Sequence, residues 1–492
     1  MNPPYILAID QGTSSTKSLI FNAIGEPIAK GVAPLKTMYL KNGFVEQDPE
    51  GIFQNVQQSI KKCLAAFKKQ GAQVTDIRVC GISNQRETFI LWDKNGTPLY
   101  NAIVWQCKRS ISICERLKNE GFEPQIKAKT GLLIDPYFSG TKLLWLFENV
   151  PAVKTAILKG EAYFGTVDTW LLYQFSGGKS YCTDYTNASR TLFFNLQNLD
   201  WDADLLKQWG LERLNLPELK PSASDFGQMR LTASISLPIT AMIGDSHAAA
   251  FGEGCFSEGT AKATLGTGCS ILMNIGDKPK WSDNGMLTTI CWSMAGRIDY
   301  ALEGAIVSCG STIEWLKNEL NLFKNSKSTE NMAKSVDDNQ GVYLIPAFSG
   351  LGAPHWDMNR KATLSGLSFD STKNHIVRAA LESIPYQIKD VIVAMEQAAK
   401  MRLQQLNTDG GMTSNGFVMQ FLTDLLNISV VNIGMSDVSA LGAAYLAGLQ
   451  GKIYRDLKQL ESFNAEKMFY KPNPEQIWIQ QQYVGWQKNL NV

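Results

Sequence analysis

Asp10-Gln11-Gly12-Thr13-Ser14-Ser15-Thr16-Lys17, set between the apolar runs Tyr5-Ile6-Leu7-Ala8-Ile9 and Ser18-Leu19-Ile20-Phe21, decides how this chain is read. The pattern is strand, tight polar turn, strand. Its turn holds a carboxylate, a glycine, four hydroxyls and a cation. Glycine lets a backbone approach a ligand closely, and N–H and O–H donors suit phosphate oxygens. Asp10, at the end of a buried strand, suits a metal ion. An ordinary polar hairpin has the same composition, so the stretch gains meaning only from partners downstream.

At 492 residues the chain exceeds one core, and two domains are expected, 1–252 and 253–492. A hydrophobic content of 44% with 19% charged residues is that of an ordinary globular protein. Net charge is +1, so there is no electrostatic footprint for nucleic acid or an anionic membrane. No apolar run approaches the ~18 residues of a membrane span. The N-terminus lacks the basic region of a signal peptide, and nine scattered cysteines contain no C-x-x-C pair. The expectation is buried thiols in a cytoplasmic protein.

Asp48-Pro49-Glu50 opens a helix, with a cap, a proline at the first helical position and an acid in the first turn. Apolar residues from Ile52 to Phe67 then recur at helical spacing. Asn84-Gln85-Arg86-Glu87-Thr88 follows a buried strand, and Trp105-Gln106-Cys107 follows another. Arg86 and Glu87 suit a polyhydroxylated ligand as donor and acceptor, with Trp105 as an apolar wall; a surface ion pair and a core tryptophan fit equally well. Asp135 to Lys142 reads as a turn opening a helix, with Tyr137 adding a hydroxyl on an aromatic body, and Thr183 to Arg190 reads as a mostly structural polar network beneath the site.

Strand Ala241-Met242-Ile243 ends in Gly244-Asp245, which starts a small-residue helix. Asp245 suits a catalytic carboxylate or a plain helix cap. A second Gly/Thr hairpin, Gly266-Thr267-Gly268-Cys269-Ser270, matches the first, which suggests two related domains, each offering a phosphate loop. Cys309-Gly310-Ser311 starts a helix. Strand Arg402–Leu406 leads to Asp409-Gly410-Gly411, a turn that lets backbone lie against a flat ring, with Asn415 at the next helix start.

Together these motifs resemble the FGGY family of sugar and polyol kinases, most closely its glycerol kinases. The resemblance extends over almost the whole chain. It is carried by Asp10–Thr13, Asn84–Thr88, Asn101–Cys107, Asp135–Lys142, Asp184–Arg190, Gly266–Cys269, Ala301–Gly304 and Asp409–Gly411. It implies an α/β, two-domain actin-like ATPase (ribonuclease H-like) fold with ATP and substrate in the interdomain cleft. It further implies ATP and Mg²⁺ as cofactors, a small-molecule polyol partner and a homo-oligomer. The implied reaction is ATP-dependent phosphorylation of a terminal hydroxyl of glycerol, giving glycerol 3-phosphate. By this resemblance Asp245 is the general base and Asp10 helps place Mg²⁺. Thr13, Ser14, Lys17 and Thr267 meet ATP phosphates, while Gly310, Gly411 and Asn415 line the nucleotide. Arg86, Glu87, Trp105 and Tyr137 hold the polyol.

Two positions depart from the glycerol kinase pattern: Ser246 replaces a usual glutamine and Ser270 a usual phenylalanine, both in the family's substrate pocket. These positions leave a kinase for a polyol or sugar of four to five carbons as an alternative; a separate one is a catalytically silent binding protein on the same fold.

Overall fold

Tyr5–Gln11 and Ser15–Phe21 form the hairpin that their pattern predicts, antiparallel, with Asp10 opposite Lys17. This is seen in a computed structural model that describes residues 4–232, 234–463, 467–473 and 478–490. The strand Ile77–Asn84 runs parallel to Tyr5–Gln11 with Ser83 opposite Asp10, and Ser236–Gly244 runs parallel to Ile77–Asn84 with Gly244 opposite Asn84. The C-terminal ends of three strands therefore lie side by side, and each runs into one of the polar motifs. Completing this six-stranded sheet are Gln228–Arg230 on one edge and Pro27–Pro34 on the other.

The second hairpin, Thr260–Leu265 with Cys269–Gly276, sits at the centre of a seven-stranded sheet. Gln405–Asp409 pairs parallel to it with Asp409 opposite Thr264. The strand thus begins three residues later than the apolar pattern indicates. Leu403 is bound through its N–H to Glu396 Oε1 at 2.9 Å, and pairing with Thr260–Leu265 starts only at Gln405. A smaller five-stranded sheet carries Phe89–Trp92 and Tyr163–Thr166. The helix Pro49–Lys69 begins as its capping pattern requires, with Asp48 accepting from Glu50 N. Helix Lys373–Ala399 continues through Pro385. All nine cysteines are buried and free. Among the described residues no helix is long and apolar enough to cross a membrane.

The helix Val438–Gln450 comes from the second half of the chain but packs on the first sheet and on the helix Asp245–Gly252. Small residues make this approach possible at backbone distance. A Cβ on Gly442 would lie 1.8 Å from the Ala248 carbonyl oxygen, and one on Gly81 would lie 2.2 Å from that of Ala443. Gly442→Ala must therefore separate the two helices, at an expected loss of about 1–3 kcal/mol. Urea unfolding reads this as a lower midpoint at unchanged slope. Gly411→Ala, whose Cβ would meet nothing within 4 Å, is expected to stay within about 0.5 kcal/mol of the parent.

Candidate active site

Past Asn84 the chain turns sharply, with Glu87 in the left-handed region at φ 61°. Arg86 and Glu87 are both buried and diverge to different partners, so they are not a surface ion pair. Arg86 donates from Nη2 to Glu303 Oε1 at 2.8 Å and from Nη1 to Glu303 Oε2 at 3.2 Å, a bidentate grip. Its Nε lies 3.4 Å from Asp245 Oδ1, and Nη2 reaches the Tyr137 hydroxyl at 3.5 Å. Glu87 Oε1 accepts from Arg190 Nε at 2.6 Å, and Arg190 Nη1 lies 2.6 Å from Glu303 Oε2. The result is a buried chain of alternating charge from Glu87 through Arg190, Glu303 and Arg86 to Asp245. Burial alone would raise the Glu303 carboxyl, but Arg190 and Arg86 outweigh it and hold the group well below the usual carboxylate range. Burial raises Glu87 in spite of the same two guanidiniums.

Asp245 is the first residue of its helix, not the cap, which is Gly244. Its Oδ1 accepts from Ser246 N at 2.7 Å. With a side chain 39% exposed, it is the open end of an otherwise closed network. Next to it, the Ser246 and Ser270 hydroxyls bond each other at 3.0 Å, linking the helix Asp245–Gly252 to the strand Cys269–Gly276. Trp105 and Tyr137 form a wall, ring edge to face at 5.6 Å. Trp105 Nε1 donates to Thr13 Oγ1 at 2.8 Å, so the wall is fastened to the opening turn. Behind Tyr137 the fully buried Lys142 donates to the Pro136 carbonyl at 2.9 Å, and burial lowers its ammonium to about 8.

At the other end, the Gly266-Thr267-Gly268 turn is zipped to the Gly310 helix start. The Gly266 carbonyl accepts from Gly310 N at 2.9 Å, and the Thr267 carbonyl accepts from Cys309 N at 2.9 Å and Ser311 N at 3.1 Å. A Cβ on Gly310 would lie 2.7 Å from the Gly266 oxygen, so this closeness needs glycine. Thr267 is exposed, and Gly411 faces open space. Asn415 is buried; its amide caps the helix Gly416–Leu426 through Val418 N and donates to Thr329 Oγ1 at 3.2 Å. Its side chain is thus already engaged.

In the first turn, Asp10 Oδ1 accepts from Ser83 Oγ at 3.2 Å. Burial pushes the Asp10 carboxyl up to about 6, against the pull of Lys17 and with a further push from Asp245. Thr13 is tied by Gln47, which donates to its carbonyl at 2.8 Å, and exposed Ser14 accepts from Leu35 N at 2.9 Å. Lys17 Nζ lies 3.0 Å from Asp437 Oδ1. A groove of about 740 Å³ runs along the helix Pro49–Lys69, lined by Leu35, Asp48, Gln54 and Lys61 among others.

The sequence singles out Arg86, Glu87 and Asp245, and reads Thr183 to Arg190 as a polar network beneath the site, where Arg190 indeed lies; it does not assign Glu303, Lys142 or Asp437 to the assembly. One signal was available: Glu303 is an acid within the apolar strand Arg297–Ile306, and a charge so placed needs a buried partner.

The family model for the N-terminal domain of the FGGY family of carbohydrate kinases matches residues 5–252, and that for the C-terminal domain matches residues 261–451. A glycerol kinase of Thermoanaerobacter pseudethanolicus is 45% identical over 487 residues, which cover 98% of this chain and 97% of that one. A crystal structure of Plasmodium falciparum glycerol kinase with ADP superposes with a TM-score of 0.94 at 34% identity, covering 99% of this chain and 98% of that one. A xylulose kinase from Lactobacillus acidophilus, at 24% identity and a TM-score of 0.89, covers 99% of this chain and 98% of its own and shares the fold. With both family models matched in order and near-complete coverage by such relatives, the chain belongs to the FGGY family of carbohydrate kinases.

Proposed function

We propose that this chain transfers the terminal phosphoryl group of ATP to a terminal hydroxyl of glycerol, giving glycerol 3-phosphate. The observation that carries this reading is Asp245: a half-open carboxylate at the end of a strand, steadied by Arg86 beside the Trp105–Tyr137 wall. Phosphoryl transfer asks a protein mainly for positioning and charge stabilisation. Asp245 accepts the proton of the attacking hydroxyl, and Arg86, locked by Glu303, offers a donor whose direction is already set. Glu87 orients through Arg190, and the aromatic wall packs on carbon and sheds water. Thr13, Ser14, Lys17 and Thr267 receive the phosphates; Gly310, Gly411 and the Asn415 turn accept the nucleotide's flat base.

Asp10 suits Mg²⁺, which is commonly held by one or two carboxylates together with substrate phosphates: its carboxylate accepts from the Ser83 hydroxyl and feels the negative charge of Asp245. Bound there, the ion would neutralise phosphate charge. We place the division between the two domains after residue 252, at the end of the Asp245 helix.

The mutual hydrogen bond of Ser246 and Ser270 supports glycerol over a longer polyol: one hydroxyl donates to the other, which holds both side chains against each other and leaves only one O–H proton to place. In an ATP-coupled assay over glycerol, erythritol and five-carbon polyols, glycerol is expected to give the highest kcat/KM. A higher value for erythritol or a five-carbon polyol would overturn the substrate assignment, and no turnover with any of them would favour a binding protein.

A further inference from the structure

The short segment Asp437–Ser439, at the start of the helix Val438–Gln450, reaches both the first hairpin and the Asp245 backbone from the second half of the chain. Asp437 Oδ1 lies 3.0 Å from Lys17 Nζ, and its Oδ2 lies 2.6 Å from Lys30 Nζ. Two residues on, Ser439 Oγ donates to the carbonyl of Asp245 at 3.1 Å. Lys17 and Lys30 stand on adjacent strands of the first sheet, and Lys17 is directly across the hairpin from Asp10. Both ammonium groups are partly exposed, whereas the Asp437 side chain is only 12% exposed. A carboxylate so enclosed holds its charge at low cost only while a cation is beside it.

This arrangement poses a problem for Lys17. An ammonium engaged by a carboxylate has part of its charge neutralised and is a weaker attractor for a polyphosphate. If Lys17 turned to a phosphate and Asp437 had no other partner, a nearly buried carboxylate would be left uncompensated. Lys30 removes that penalty, since it already lies 2.6 Å from the other oxygen. We propose that Asp437 is a positioning residue that holds Lys17 at the phosphate site, and that Lys30 is the counter-ion that allows Asp437 to release Lys17 to the phosphates of the nucleotide. This rests on the reading above in which Lys17 meets ATP.

The test is a double-mutant cycle on the full chain, read by calorimetric binding of ADP and of a non-hydrolysable ATP analogue with Mg²⁺. Lys30→Gln leaves Lys17 as the sole partner of Asp437, and the Kd for the ATP analogue is expected to rise about fivefold. The KM for glycerol is expected to stay unchanged, which separates the effect from a general loosening of the fold. In the Asp437→Asn background nothing holds Lys17 back, and Lys30→Gln is expected to change the Kd less than twofold, within the scatter of additive effects. An equal effect of Lys30→Gln in both backgrounds, or none in either, would overturn the proposal. Lys17→Gln keeps the two readings apart. If it weakens analogue binding and the cycle is additive, this proposal fails and the phosphate role of Lys17 stands; if it has no effect, both fail.

Discussion

Asp245→Asn is expected to lower kcat about a thousandfold, within the 10²–10⁴ range of a lost general base, and to leave ADP binding and the urea midpoint nearly unchanged. Asparagine keeps the shape of the side chain and an oxygen that accepts from Ser246 N, as Asp245 does at 2.7 Å. Arg86 loses a carboxylate at 3.4 Å but retains its bidentate grip on Glu303, so it stays in place. Because the Asp245 side chain is well exposed, no buried charge is stranded. What disappears is the capacity to take a proton at that point. Steady-state kinetics with glycerol and ATP, paired with calorimetric ADP binding, separate this from misfolding, which would reduce both. Full activity in the variant would end the general-base assignment.

Much of the frame was legible because it is local. A strand, a Gly/Thr turn and a second strand announce a hairpin at Asp10 and again at Gly266, and both form as antiparallel pairs. Asp245 and Arg86 were visible as polar groups immediately after buried strands. The electrostatic frame behind them was not legible, since it joins residues far apart in the chain. Arg190 meets Glu87 103 positions away, and Arg86 meets Glu303 across 217. No pattern of spacing reports such a pair; only the three-dimensional return of the chain does. Asp437 escaped for the same reason, at the head of a helix whose small residues advertise close packing but not what its first carboxylate will grip. The displaced strand at Gln405 has another cause: an edge of apolar residues gives the strand's presence, while its partner gives the register.

Glu303 is where the hidden frame is most exposed to test. Glu303→Ala leaves two buried guanidiniums, Arg86 and Arg190, facing each other without the acid between them. Breaking a buried ion pair in this way costs about 3–5 kcal/mol, enough to cut the urea midpoint severely. Glu303→Gln keeps the shape and one acceptor, so it folds more readily and isolates the charge. Arg86 then loses its anchor, and the KM for glycerol is expected to rise by about tenfold, the equivalent of one charge-assisted hydrogen bond of about 1.4 kcal/mol. The dependence on pH identifies the cause. The folded-state carboxyl of Glu303 is held below its ordinary value, so its stabilisation is complete above an unfolded glutamate's value of about 4.3 and is lost as pH falls toward the folded value. Glu87 has the opposite sign, because burial raises it and penalises its ionised form as pH rises. Both proteins share that contribution, so it largely cancels in the comparison. The gap in urea midpoint between the parent and Glu303→Gln is therefore expected to be widest near neutrality and to close as pH falls below about 4. A gap independent of pH would mean that Glu303 acts by shape alone and that the alternating charges do not hold Arg86 in place.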